Sequence, residues 1–202
     1  MAQPQGPSAT RDRILSAAME VFARKGYHAA GVEDIVRASG TSKGAFYHYF
    51  PSKRGIFLTL MDDLAALVEQ GVEAVIAQER GAVAKVEAAL RVVIETAAEQ
   101  RALVKILLLE AVGLGPAFEQ KRLEIHSRFA RVIQHHLDRA VQEGDIPPQD
   151  TALVAQAWMG ALTEVIAQWL TSGGPSLRAK LPQLRALLLR SIGAKADAPG
   201  DR

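Results

Sequence analysis

The chain has 202 residues, 49% hydrophobic and 5% aromatic, with no Cys and a net charge of +2. That length suits one domain, or a small domain joined to a larger one. The lack of Cys excludes disulfides, thiolate metal sites and cysteine nucleophiles, and an apolar content dominated by Ala, Leu and Val favours helix over a large β-sandwich.

The segment from Met1 to Thr10 is polar and carries Pro4, Gly6 and Pro7, so it does not read as a secretory signal. The longest apolar run, near Ile106–Leu109, is far shorter than the ~20 residues a membrane span needs. The expectation is a soluble, cytoplasmic protein with no membrane partner. Charge is unevenly spread. Residues 1–54 carry eight Lys/Arg against four Asp/Glu, and the remainder is slightly acidic. A basic head on such a body fits a polyanionic partner at one end.

Helical periodicity runs along almost the whole chain. Ile14, Leu15, Ala18, Val21 and Phe22 form one stripe that ends at Lys25-Gly26, where Gly permits a positive-φ turn. Val32, Ile35 and Val36 form a second, with Glu33 and Asp34 in its first turn and a stop at Ser39-Gly40. A third short helix starts after Thr41 or Ser42 and reaches about Tyr49, and Pro51 ends it. Longer helices follow: from Ser52-Lys53 to about Gln78, from beyond Gly81 to about Ala97, a short apolar one over Arg101–Ala111, then Pro116 to Glu143. Asp150 or Thr151 opens the next, to about Leu170, and Leu177 to Ile192 marks the last. The sum is an all-α chain of about nine helices with no credible strand.

The three short N-terminal helices, with the turn Ala38-Ser39-Gly40-Thr41 between the second and third, read as a helix-turn-helix. The second helix of such a pair lies in the DNA major groove and presents its first residues to base edges. Thr41, Ser42, Lys43, Tyr47 and His48 all bring hydrogen-bond donors to that place, and Gly44 lets the helix approach DNA closely.

The residues Gly26-Tyr27, Val32 to Val36, Ala38 to Phe50 and Ser52-Lys53 resemble, in that order, the DNA-binding domain of TetR-family regulators. The likeness covers roughly Arg11 to Asp62, with Gly31 where many members carry a capping Thr. It implies that Thr41, Ser42, Lys43 and Gly44 face the groove, that Tyr47 and His48 touch phosphates or a base, and that Lys53 meets a phosphate at a helix N-terminus. It also implies a helix-turn-helix domain over 1–52, a ligand-binding and dimerisation domain over 53–195, and a flexible tail at 196–202. One head offers few phosphate contacts, so a homodimer on a palindromic operator is expected.

In proteins resembling this one the last two long helices of each subunit form a four-helix bundle across the dimer axis. Here Gly160, Ala161, Val165, Trp169, Leu184 and Leu188 fit that interface. The effector pocket of such proteins would be lined by Met61, Leu64, Leu67, Leu90, Ile94, Leu103, Leu107, Leu108, Phe129, Ile133 and Trp158. The stretch Leu107–Arg122 is similar to members that respond to acyl-coenzyme A. Arg101, Lys105, Lys121, Arg122 and Arg128 would suit a phosphate-bearing head group. His126, His135 and His136 lack metal-ligand spacing, so no metal is expected, and no cofactor beyond the effector.

The expected function is a ligand-responsive DNA-binding transcriptional regulator, a repressor released by a small apolar effector. The alternative is a DNA-binding regulator with no small-molecule ligand, controlled by a protein partner. An enzyme is disfavoured, because no G-x-S-x-G, Walker loop, HExxH or dinucleotide fingerprint is recognised.

Overall fold

The computed structural model describes residues 7–110, 114–172 and 176–194. The expected tail at 196–202, and the last residue of the helix expected over Arg101–Ala111, lie outside them. Among the described residues there is no strand, and the fold is all-α. The elements are α1 (Pro7–Ala29), α2 (Val32–Ser39), α3 (Lys43–Tyr49), α4 (Lys53–Ile76), α5 (Ala82–Glu99), α6 (Arg101–Lys105), α7 (Pro116–Gln142), α8 (Thr151–Ser172) and α9 (Leu181–Ser191). A π turn, Ile106–Glu110, continues α6, and a 3-10 turn, Leu177–Lys180, precedes α9. No helix of the described residues is long and apolar enough to cross a membrane.

Local chemistry explains most of the helix ends. Gly26 interrupts α1 at φ 74°, ψ 168°, a conformation that L side chains rarely adopt. Gly40 ends α2 in the left-handed region, and its N–H reaches the Arg37 and Val36 carbonyls. The Ser42 hydroxyl accepts from the Ala45 N–H and caps α3, and Ser52 does the same for Gly55 in α4. Asp150 caps α8 through the Leu153 N–H. Asp145, distant in sequence, accepts the Ala82 N–H at the start of α5.

The region expected as one short helix over Arg101–Ala111 instead widens into the π turn after Lys105. Four consecutive apolar residues, Ile106 to Leu109, define no single helical face. Periodicity therefore could not specify how this stretch winds.

By internal contacts the chain forms two compact units. The first is Met1–Leu64 together with Ala102–Lys121, and the second is Ala65–Arg101 together with Arg122–Arg202. The unit that holds the helix-turn-helix therefore runs past residue 52 and recruits a second piece of chain. Its core explains why. Phe22, Phe57 and Phe118 are all almost fully buried, and with Tyr27 they form an aromatic cluster. Ring centroids lie 4.9 Å apart for Tyr27–Phe57 and 5.2 Å for Tyr27–Phe118, in edge-on geometry. Phe118 comes from the first turn of α7. The π turn packs against α1 in the same unit, and Lys121 pairs with Asp62 at 3.0 Å.

In the second unit, α5 packs on α9 and on the 3-10 turn before it. Leu90, Ile94 and Ala97 are buried on one element, and Leu177, Leu184, Leu188 and Leu189 on the others. Trp158 is buried and donates its indole N–H to Ser191 at 2.9 Å. Arg128 pairs with Glu69, and the Arg101 guanidinium lies 4.6 Å over the Trp169 ring.

Candidate nucleic-acid interface

The pair α2–α3 with its tight connection is a helix-turn-helix. Ile35 and Phe46 are fully buried, α2 packs on α1 and α3 on α2, and Ile14, Ala18, Val21 and Phe22 of α1 are buried as well. The turn is stiffened from within. Ser39 donates to the Val36 carbonyl at 3.1 Å, and its hydroxyl shares a 2.8 Å hydrogen bond with Thr41. The Thr41 side chain is thus held before any partner arrives.

The outer face of α3 carries Ser42, Lys43, Gly44, Tyr47 and His48, all exposed, with Thr41 half-buried at its edge. Tyr47 keeps 47% of its surface open, unusual for so large a ring on a short helix. Lys43 stands at the first helical position and reaches Glu33 of α2 at 2.8 Å. That contact holds the Glu33 carboxylate below its ordinary pKa and the Lys43 ammonium above its own. A side chain added at Gly44 would meet nothing nearer than the Ser42 hydroxyl, at 3.8 Å. The free fold therefore has no need of glycine there. Gly44→Ala is expected to leave the melting temperature unchanged or slightly raised, by at most ~1 kcal/mol of helix propensity. Operator affinity measured by fluorescence anisotropy should nevertheless fall if DNA approaches that backbone.

Asp34 secures the N-terminus of α2. It pairs with Lys25 at 2.7 Å and accepts the Gly31 N–H at 3.0 Å. Gly31 itself has no side chain to contribute to the cap, so Asp34 carries that task alone. The Lys25 contact first, and the Gly31 N–H second, lower the Asp34 pKa. A carboxylate depressed in the folded state stabilises above its unfolded pKa, and the gain is lost as pH falls through the folded value. Protection of the Gly31 amide, taken relative to its intrinsic exchange rate, should therefore fall as pH drops below the ordinary carboxylate range. Asp34→Ala, which removes the acceptor, should lose that protection at every pH.

Lys53, expected at a phosphate, is engaged within the head in this structure. Its ammonium donates to the carbonyls of Tyr27 at 2.9 Å, Ala30 at 2.9 Å and His28 at 3.4 Å, and sits 4.4 Å from the Tyr27 ring centre. An ammonium has three protons. All three are directed at the corner between α1 and α2, which the break at Gly26 turns toward α4. No sequence pattern announces such a clamp, because its acceptors are main-chain carbonyls.

Contrary to the expectation that no G-x-S-x-G occurs, the string Gly40-Thr41-Ser42-Lys43-Gly44 does match that pattern of serine hydrolases. Here it lies between two helices rather than after a strand, and the Ser42 hydroxyl accepts the Ala45 N–H as a cap. It is a turn between helices, not a nucleophile elbow.

The residues expected around an effector are divided between the units. Met61, Leu64 and Leu103 are buried in the first, with Leu107 and Leu108 half-buried. Leu90, Ile94 and Trp158 are buried in the second, with Phe129 and Ile133 half-buried. Leu67 is 53% exposed and lines no interior, since the inward stripe of α4 in that unit passes through Ala65, Val72 and Ile76. Of the basic residues suited to a head group, Lys121 is engaged by Asp62, Arg128 by Glu69 and Arg101 by Trp169.

The second unit does contain a polar hollow of about 300 Å³, lined by Glu73, Ile76, Ala77, Glu79, Lys85, His135, His136 and Arg139. His136 faces Glu73 at 3.4 Å, and burial lowers its pKa despite that neighbour. Its two fixed cations, Lys85 and Arg139, both face Glu143 as well. Among the described residues no group of three or more His, Asp or Glu is arranged to hold a metal.

Three residues expected at a dimer interface are already buried within the protomer: Trp169 at 8%, Leu184 at 5% and Leu188 at 2% exposure. Ala161 and Val165 are half-buried and Gly160 is exposed. The outward face of α8 instead runs through Leu153, Ala157, Gly160 and Glu164, and α9 adds Leu187. Four-residue spacing alone could not tell which of two apolar stripes on α8 faces inward.

Comparison with known proteins bears on both halves of the chain. Residues 14–60 match the model for bacterial regulatory proteins of the tetR family, and residues 79–191 match a tetracyclin repressor-like C-terminal domain. The fatty acid metabolism regulator protein of Bacillus subtilis is 26% identical over 78% of this chain and 82% of its own length. The crystal structure of the regulator FadR from Bacillus subtilis, solved in complex with stearoyl-CoA, superposes with a TM-score of 0.80 at 26% identity, covering 90% of this chain and 98% of that one. The fatty acid degradation regulator FadR of Bacillus halodurans gives the same TM-score at 24% identity, over 88% of this chain and 97% of that one, and shares the fold.

Proposed function

The chain belongs to the TetR family of bacterial transcriptional regulators, and on that premise we propose that it is a repressor that leaves its operator when a long-chain acyl-coenzyme A binds. The observation that carries the DNA half of this reading is the exposed row on α3. Lys43, Tyr47 and His48 project donors from a helix whose start is capped and whose turn is internally hydrogen-bonded. A rigid helix with donors near its N-terminus is what major-groove reading requires. Thr41, Ser42, Lys43 and Gly44 would lie against the bases, with Tyr47 and His48 on base or phosphate. Lys53 holds the head together and contributes to DNA binding only through that.

The effector half rests on the stearoyl-CoA-bound relative and on apolar helices of the right kind in both units. The acyl chain would lie among apolar side chains of residues 53–195. Since Lys121, Arg128 and Arg101 are engaged, the head group would have to displace their partners or use Lys105 and other surface groups.

Two heads are needed for a palindromic site, and the stripe on α8 with Leu187 supports a homodimer built there. Leu153 and Leu187 are 63% and 51% exposed, large apolar surfaces that a second subunit would cover. Effector binding would change the spacing of the two recognition helices through α4, which runs unbroken from one unit into the other. An effector preferring the released state ~100-fold supplies ~2.7 kcal/mol of coupling. A protein that acts on operator DNA would work in the cytoplasm.

The test is an anisotropy titration on DNA from upstream of its own gene, repeated with acyl-coenzyme A thioesters of graded chain length. Saturable, salt-sensitive binding abolished by long chains is the expected result. Specific binding that no thioester disturbs overturns the effector and favours control by a protein partner. Lack of preference for any upstream sequence overturns the operator reading itself.

A further inference from the structure

Within the DNA-binding reading, on which this inference rests, one residue of the head acts against binding. Glu33 stands in the first turn of α2 with its side chain 65% exposed, and its carboxylate lies 2.8 Å from the Lys43 ammonium at the start of α3. It therefore lies on the edge that faces the groove. Its neighbour Asp34 already satisfies the α2 terminus through the Gly31 N–H and Lys25. Glu33 also accepts its own backbone N–H at that terminus, a local contact that does not require Lys43. An exposed ion pair contributes little to stability, so the fold does not explain the contact with Lys43. What remains is its effect on DNA. A carboxylate beside the groove repels phosphates, and it occupies the cation best placed to attract them.

We propose that Glu33 is a specificity-determining residue, which holds Lys43 back from arbitrary phosphates and yields it only to an acceptor placed as the operator places it. Random DNA offers phosphates in every register, and a free ammonium would gain from most of them by counterion release. A paired ammonium gains only where the new acceptor replaces Glu33 with better geometry. On arbitrary DNA the pair stays closed and Lys43 gives no phosphate contact, whereas on the operator the pair opens and the new acceptor offsets the loss. Glu33 acts through Lys43 and does not itself touch a base.

The experiment compares wild type, Glu33→Gln, Lys43→Gln and the double variant. Each is titrated by anisotropy onto the upstream duplex and onto a scrambled duplex of equal length, across ~50 to 300 mM salt. Glu33→Gln is expected to tighten binding to the scrambled duplex about tenfold and to the upstream duplex by less than threefold. It should also steepen the salt dependence on scrambled DNA by up to ~0.9 in log–log slope for each head. In the Lys43→Gln background, the Glu33→Gln change should do nothing. Equal tightening on both duplexes overturns the proposal, as does no change on scrambled DNA. The same Glu33→Gln effect without Lys43 also overturns it, because the carboxylate would then act by bare repulsion. The wild-type titration reads the DNA-binding premise separately. If wild type does not prefer the upstream duplex, the premise fails before the variants are compared.

Discussion

Phe118→Ala is expected to destabilise the DNA-binding head by about 3–5 kcal/mol, although residue 118 lies more than 50 positions beyond the recognition helix. Its ring is 2% exposed and sits against Tyr27 and Phe57, whose own contacts reach Phe22 in α1. Truncation removes a ring partner from Tyr27 and from the buried Phe57 at once. The cavity would lie between the end of α1 and the start of α4, so those segments should lose protection first. Hydrogen exchange read segment by segment is the direct measurement, with urea unfolding for the total. Phe118→Leu keeps most of the volume and should cost under ~1.5 kcal/mol. If Phe118→Ala accelerated exchange only in residues 65–101 and 122–194, the assignment of α7's first turn to the head would be wrong.

Lys53→Ala should cost about 2 kcal/mol, since hydrogen bonds from a charged donor are the stronger class and three carbonyls lose theirs together. The half-buried position of Lys53 lets water replace part of that loss. Affinity for the operator should drop because the corner between α1 and α2 loosens. The slope of affinity against salt should not change. A phosphate contact would behave otherwise: affinity would fall with stability unaltered, and the log–log slope would shrink by ~0.9 per head. Lys53→Met, which keeps the aliphatic stem, should recover some packing on Tyr27 but none of the hydrogen bonding. Measuring melting temperature and salt slope on the same preparations separates the two roles.

Both results concern features that patterns in the chain do not display. The helix-turn-helix was legible because it is local: Gly40, Ser42 and Pro51 each punctuate the backbone by a mechanism that acts within a few residues. The same holds for Pro116 at the start of α7 and Asp150 ahead of α8. The family likeness of Gly26 to Lys53 rested on this local order. Lys53's clamp was not legible, since its partners are carbonyls 23 to 26 residues away. Nor was the loss of Leu184, Leu188 and Trp169 from the outer surface. An apolar residue on a helix declares that it seeks burial, not whether its own chain or a second copy provides it. Lys43 was legible as a donor, while the acid that restrains it was read only as complementing the helix dipole.

The recruitment of Ala102–Lys121 into the first unit has a consequence for how the molecule is made. A ribosome delivers the chain from the N-terminus at about 5–20 residues per second. The recognition helix is complete by Tyr49, yet the ring that closes its supporting core is residue 118. For several seconds the nascent head is therefore a set of helices with an open aromatic face. It matures only when α7 begins to emerge, by which time the whole of the second unit's first segment has also been synthesised. An incomplete chain released near residue 100 would expose Phe57 and Tyr27 and bind DNA weakly. Premature fragments of this regulator would thus not compete with the finished protein for its operator.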